Sequence, residues 1–219
     1  MALSTYDGLR AAIGGWNFNR AALPTDDLVS LAEARLNRDL RLRAMETEDA
    51  LTGVVGSRTI DLPAAFLEPL ALFIERDGVG REALRFVPAD MSFRAAPGQP
   101  RYWTIDAGAL AFERPCDQAY DFTLRHLARF QLCATAPQDG SQSNWLLATW
   151  PDAYLAACNI EAALWLEEDD QAVRWQARYA DAVASIGAKE ARSRALTTLA
   201  ADPALRSRRT GGAFDINQG

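Results

Sequence analysis

The sequence predicts an α+β protein: a helical bundle built from both ends of the chain, an inserted antiparallel β subdomain, and an extended C-terminal tail. Three observations predict it. Leu28, Val29, Ala32, Leu36 and Leu40 recur at helical spacing within residues 26–41. From Met45 to about Leu132 the period shortens to alternating runs between Gly53, Gly56, Pro63, Asp77-Gly78, Pro88, Pro97-Gly98, Gly108 and Pro115. Helical spacing then returns from residue 144. The expected parts are N-terminal helices over 1–44, the β subdomain over 45–133, long C-terminal helices over 144–202 and a flexible tail over 203–219.

Residues 4–15 form the first helix, with Ser4 or Thr5 as N-cap and Gly14-Gly15 as the stop. Thr25 is the expected cap of the second helix, and Asp26 and Asp27 suit its positive end. In the middle region, "RTIDL", "RYWTID" and "ALAFER" read as strands. "YDFTLRHLARF" alternates, with Phe122, Leu124, His126 and Ala128 on one side and Thr123, Arg125, Leu127 and Arg129 on the other. In "PAAFLEPLALFIERD", Pro69 excludes a long helix and favours a turn followed by a strand. "ATAPQDGSQS" (134–143) is a loop.

Pro151 then fits the first turn of a helix that runs to about Leu166, where its missing N–H costs nothing. Glu167-Glu168-Asp169-Asp170 marks a boundary. A second long helix runs from about Gln171 past Ile186, with the stripe Trp175, Tyr179, Val183 and Ile186. Its pattern extends towards Asp202-Pro203.

A chain of 219 residues and 24.0 kDa suffices for one sizeable core. Its formal net charge of −6 argues against non-specific nucleic-acid binding, which needs a basic surface. Of 23 basic residues only Lys189 is lysine. Arginine's planar fork suits interfaces, and a GC-rich genome explains the bias equally well. Cys116, Cys133 and Cys158 share no metal-ligand spacing, are odd in number and follow no signal peptide, so a reduced intracellular chain is expected. No apolar run approaches a membrane span.

Motifs of catalysis are sparse. The single histidine, His126, lies in mid-strand, whereas nucleophile–base pairs usually use turns or strand ends. The acidic run at 167–170 lacks the glycine-punctuated loop of a calcium site and reads as a solvated helix junction. Neither a phosphate-binding loop nor a dinucleotide fingerprint occurs. No catalytic, cofactor-binding or metal-ligating residue is therefore assigned. An enzyme with a carboxylate site in the β region remains an alternative, as does another oligomeric interaction module of this plan. The arginines at 192, 194, 206, 208 and 209 suit a protein partner, solvent or nucleic acid.

The segment "NWLLATWPDAYLAACNIEAALWLEEDD" (144–170) is apolar around most of its helix. Tyr154, Leu155, Cys158, Ala162, Trp165 and Leu166 share one face, with Ile160 and Leu164 on another. Such a helix must be buried nearly all round. It is either the central helix of its own bundle or a helix covered by another copy. The candidate subunit or bundle interface residues are Trp145, Tyr154, Leu155, Ile160, Leu164, Trp165, Trp175 and Tyr179.

Three segments together resemble the head-to-tail adaptor proteins of tailed bacteriophages, the tail tubular protein A type. They are "LVSLAEARLNRDLRLRAMET" (28–47), "YWTIDAGALAFERPCDQAYDFTLRHLARFQL" (102–132) and "NWLLATWPDAYLAACNIEAALWLEEDDQAVRWQARYADAVASI" (144–186). The most specific part is Asn-Trp-Leu-Leu followed by Pro-Asp-x-Tyr-Leu, and the Ala-Glu-Ala-Arg-Leu-Asn-Arg block is next. Residues 48–100 carry little of the pattern. The resemblance implies a structural virion protein without catalysis or cofactor. It implies a ring, usually of twelve copies, that binds the portal above and a nozzle or stopper below. Double-stranded DNA passes through such a ring without sequence-specific contacts. It implies assembly in the bacterial host cytoplasm, no membrane, and portal docking by the C-terminal segment, here Arg206, Arg208, Arg209, Phe214 and Ile216.

Overall fold

The computed structural model of the chain describes residues 3–20, 23–76, 78, 80–88, 93–130 and 140–198, with side chains through residue 193. Helices α1 (Tyr6–Trp16) and α2 (Thr25–Asp39) precede all the strands. The strands are β1 (Glu46–Thr52), β2 (Thr59–Asp61), β3 (Phe66–Arg76), β4 (Gly80–Phe86), β5 (Tyr102–Asp106), β6 (Ala109–Phe112) and β7 (Asp121–Ala128). Helices α3 (Trp145–Thr149), α4 (Pro151–Trp165) and α5 (Asp169–Thr198) follow.

The α+β class holds, but the expected architecture is corrected. The sheet is mixed, not antiparallel. Its order is β1-β7-β3-β4-β5-β6-β2, and β4 runs parallel to β5 through Arg85–Tyr102 and Phe86–Trp103. Parallel neighbours need a crossover, not a tight turn. The connection from Phe86 to Tyr102 is long enough for a crossover and contains Pro88, Pro97 and Pro100. The sheet also curls. Phe112 on β6 stacks on Phe122 on β7 at 4.8 Å, although β3, β4 and β5 lie between those strands. Leu72, Ile74, Trp103, Leu110 and Leu124 fill the space inside the curl.

The helices do not make the expected bundle either. α1, α2, α3 and α5 each pack chiefly on α4, which is a hub, rather than on one another. The cause is composition. A bundle helix buries one stripe, whereas α4 buries Ala153 through Ile160 without a break. Its alanines at 153, 156, 157, 162 and 163 let neighbouring backbones approach from several sides. The expected tail, 203–219, lies outside the described residues, as do most of the 134–143 loop and Cys133.

Local chemistry explains the element ends. Thr5 caps α1 by accepting from Gly8 N–H at 3.2 Å. Gly14-Gly15 does not stop this helix, which continues to Trp16 and ends where Phe18 and Asn19 take positive φ. Thr25 does not cap α2 with its side chain; Pro24 holds the cap position. Pro69 lies within β3 at a register shift opposite β7, which is how a strand tolerates a residue without an N–H.

Helices and sheet meet through Met45, Leu127 and Phe130, which belong to the helical core. Asn37 on α2 fixes this junction with both ends of its amide. Its Nδ2 donates to Phe130 O at 2.9 Å, and its Oδ1 accepts from Phe130 N–H at 3.2 Å. Replacing Asn37 with Ala strands both buried backbone groups. The expected loss is about 2 kcal/mol by chemical denaturation, without loss of helix content in the native state.

Candidate assembly surface

The centre of the helical layer is a buried polar node. Tyr154 on α4 is fully enclosed, and its hydroxyl donates to Glu33 Oε1 on α2 at 2.6 Å. The same hydroxyl accepts from Asn144 Nδ2 at 3.2 Å, while Asn144 Oδ1 caps α3 by accepting from Leu147 N–H at 2.8 Å. Two further bonds align the helices. Arg35 on α2 pairs with Glu161 on α4 at 2.7 Å, and Tyr179 on α5 donates to Asp39 at 2.7 Å. Burial first, then the Glu33 charge, push the Tyr154 hydroxyl well above the usual phenol range. Burial and Asp39 do the same to Tyr179.

The structure divides the eight expected interface residues into three groups. Tyr154, Leu155, Ile160 and Tyr179 are buried within the chain's own core. Trp145 and Trp175 are half-buried; Trp145 stands edge-on to Phe130 at 5.8 Å, and Trp175 edge-on to Trp16 at 5.1 Å. Leu164 and Trp165 are 50% and 60% exposed at the end of α4. The portal-docking candidates Arg206, Arg208, Arg209, Phe214 and Ile216 lie outside the described residues.

Beside the α4–α5 turn, the chain builds a cleft of about 280 Å³. Trp16, Phe18 and Arg20 line one wall, and Arg174, Trp175 and Arg178 the other. Arg178 lies over the rings of both Trp175 and Trp16, at 4.6 and 5.6 Å. Neither it nor Arg174 makes an ion pair among the described residues. The loop is pinned by Asn17 Nδ2, which donates to Asn159 Oδ1 at 2.8 Å, and by Arg20–Glu168 at 2.9 Å. Phe18 is 85% exposed and has φ of +57°. A left-handed aromatic residue costs about 1–2 kcal/mol, so a side chain presented to solvent in that state is unusual.

Sequence analysis did not single out Trp16, Phe18, Arg174 or Arg178. The signal was a Phe between two Asn directly after a helix end, an apolar residue where turns are normally polar. With Trp16 and Phe18 at the end of α1, Leu164, Trp165 and Val173 leave five large apolar side chains exposed at this end of the helical layer.

The histidine, the cysteines and the acidic run have structural settings. His126 is fully buried on β7, its Nδ1 against Leu127 O at 3.0 Å and its Nε2 against Asp49 Oδ2 at 2.8 Å. Cys116 and Cys158 are buried, and burial raises the Cys116 thiol. Glu168 pairs with Arg20, while Asp169 and Asp170 occupy the first turn of α5. No group of three or more metal-ligating side chains converges among the described residues. No helix is long and apolar enough to cross a membrane among those residues. On the outer face of the sheet, Arg81 bonds Glu48 and Glu75 and holds both below the usual carboxylate range, with Thr123 the larger influence on Glu75.

A family model described as SU10 adaptor protein matches residues 4–203. No curated protein matches the chain.

Three substitutions test this description. Tyr154→Phe removes a donor from buried Glu33 and should cost about 1–3 kcal/mol near neutral pH. A raised hydroxyl contributes stability below about pH 10 and loses it as pH climbs beyond that value. The gap between wild type and Tyr154→Phe, read from denaturation curves, should therefore narrow above that pH. Trp165→Ala should change the stability of the isolated chain by no more than about 0.5 kcal/mol, because the side chain faces solvent. Phe18→Gly relieves the left-handed strain and should raise stability by about 1 kcal/mol in thermal unfolding.

Proposed function

The chain belongs to the SU10 adaptor protein family of phage head-to-tail adaptors, and from that premise we propose that it forms a ring joining portal to tail. It is a structural adaptor protein and a component of the virion. The proposed ring contains twelve copies, binds the portal on one side and a nozzle or stopper protein on the other, and assembles in the host cytoplasm.

The observation that carries this reading is the exposed apolar end of the helical layer. Trp16, Phe18, Leu164, Trp165 and Val173 stand in solvent together on one chain. A monomeric protein rarely shows this many large apolar groups in one region, and such patches mark contacts with other proteins. The 30 residues of α5 run well beyond the 15 of α4, so much of its length is also left uncovered. A head-to-tail contact closes into a ring when the rotation per copy divides a full turn.

Charge supports the DNA part of the reading. A net charge of −6 on each chain makes a ring with no overall attraction for DNA, which favours a duplex that slides through rather than sticking. The proposed portal-docking element is the C-terminal segment with Arg206, Arg208, Arg209, Phe214 and Ile216. Its arginines offer forked donors to acidic groups, and its two apolar residues offer anchors.

Electron microscopy of the chain mixed with the portal from the same genome tests the proposal. A ring of this chain on one end of the portal is the expected image. Folded proteins that do not associate would count against the adaptor ring. Removing residues 203–219 should weaken portal attachment at least tenfold and leave the thermal unfolding of the chain unchanged. Normal portal binding by the shortened chain would remove the docking role from that segment.

A further inference from the structure

The uncovered end of the helical layer has two flanks of opposite character. One is the cleft, lined by Trp16, Phe18, Trp175 and Arg174, with the Arg178 guanidinium over the rings of Trp16 and Trp175. The other carries Leu164, Trp165 and Val173, none of which lines that cleft, together with the exposed carboxylates Glu167 and Asp169. The helical period of α5 separates them. At 3.6 residues per turn, Val173 lies roughly 140° round the axis from Arg178, and Asp169 the same angle from Arg174. Glu167, with φ of +56°, lies in the turn between α4 and α5. Ala177, Ala180 and Ala184 continue the Val173 side of α5 and are exposed, so a neighbouring backbone can come close there.

The geometry points to one contact between copies of this chain, in which the acidic flank of one copy seats against the basic cleft of the next. Trp165 and Val173 cover Phe18 and Trp16, while Glu167 and Asp169 meet Arg174 and Arg178. This rests on the ring reading and specifies its seam. The two halves differ, so the contact is head-to-tail and leaves one free half at each end until a ring closes. Opposite charge sets the register and disfavours cleft-to-cleft and tip-to-tip pairing. The strain at Phe18 fits this role, because a left-handed turn pinned by Asn17 and Arg20 presents the ring rigidly and little is left to order on binding. A second copy is the occupant because both complementary halves stand on the same chain, each with exposed apolar side chains and the two opposed in charge.

Two double variants test the pairing. Phe18→Gly with Arg174→Glu disables the cleft. Trp165→Ala with Val173→Ala disables the other flank. All four side chains are exposed, so both variants should keep native circular dichroism and unfold cooperatively, the cleft variant melting slightly above the wild type because of Phe18→Gly. Light scattering after gel filtration should find each variant monomeric where the wild type assembles. Their equal mixture should form a dimer and nothing larger, because each partner then supplies the one intact half the other needs. If the wild type assembles and the mixture stays monomeric, the pairing is wrong while the ring reading stands. If either variant assembles alone as well as the wild type, the pairing is likewise wrong. A wild-type chain that remains monomeric also overturns the pairing as a self-sufficient contact, and the portal mixture then decides the ring reading separately.

Discussion

The hydrogen bond between the buried Tyr154 hydroxyl and Glu33 is the constraint on which the helical layer depends. Glu33 is 4% exposed, and a carboxylate in that position needs donors at fixed places. Tyr154 supplies one from α4, and Asn144 binds the same hydroxyl while capping α3. Three helices are thus set relative to one another by a single oxygen. Arg35–Glu161 and Tyr179–Asp39 repeat the device at the edges of the layer. Small alanines permit close packing around α4 in many orientations, and these polar bonds select one of them.

With α4 serving as a hub, little of its own apolar surface is available to a neighbour. What remains exposed lies at its last turn, in the α4–α5 turn and along the outer side of α5. The helical layer is thus asymmetric, with an interior held by buried hydrogen bonds and one end where large apolar side chains are exposed. The curled sheet has a different core, centred on Trp103, Phe112 and Phe122, and is tied to the helices through Asn37 and Phe130. The junction of helices and sheet is therefore made of side-chain-to-backbone hydrogen bonds as well as apolar contact.

Much of this was legible in the sequence, and the reasons differ by element. The stripe Leu28, Val29, Ala32 and Leu36 named the buried face of α2, because a one-sided helix writes its period plainly. The alternation through Phe122 and Leu124 likewise marked β7, a central strand. The all-round apolar character of 151–166 pointed to burial but not to the packing partner, and the bundle expectation failed there. Parallel pairing of β4 with β5 has no local signature, since it depends on which strand edge the chain returns to after a long connection. The segments richest in family resemblance contain Glu33, Asn144 and Tyr154, which share one hydrogen-bonded node, and Arg35 and Asn37, which bond Glu161 and the Phe130 backbone. The candidate surface was only half visible. Leu164 and Trp165 were named as interface residues, whereas Phe18 and the Trp16–Arg178–Trp175 stack arise from residues far apart in the chain.

The most direct measurement is a cryo-electron microscopy map of the assembled connector at side-chain resolution. The α4–α5 turn and the loop after α1 should lie at the seam between neighbouring copies, with Trp165 and Phe18 covered by protein. A map in which copies touch through other surfaces, leaving those two side chains in solvent, would contradict it.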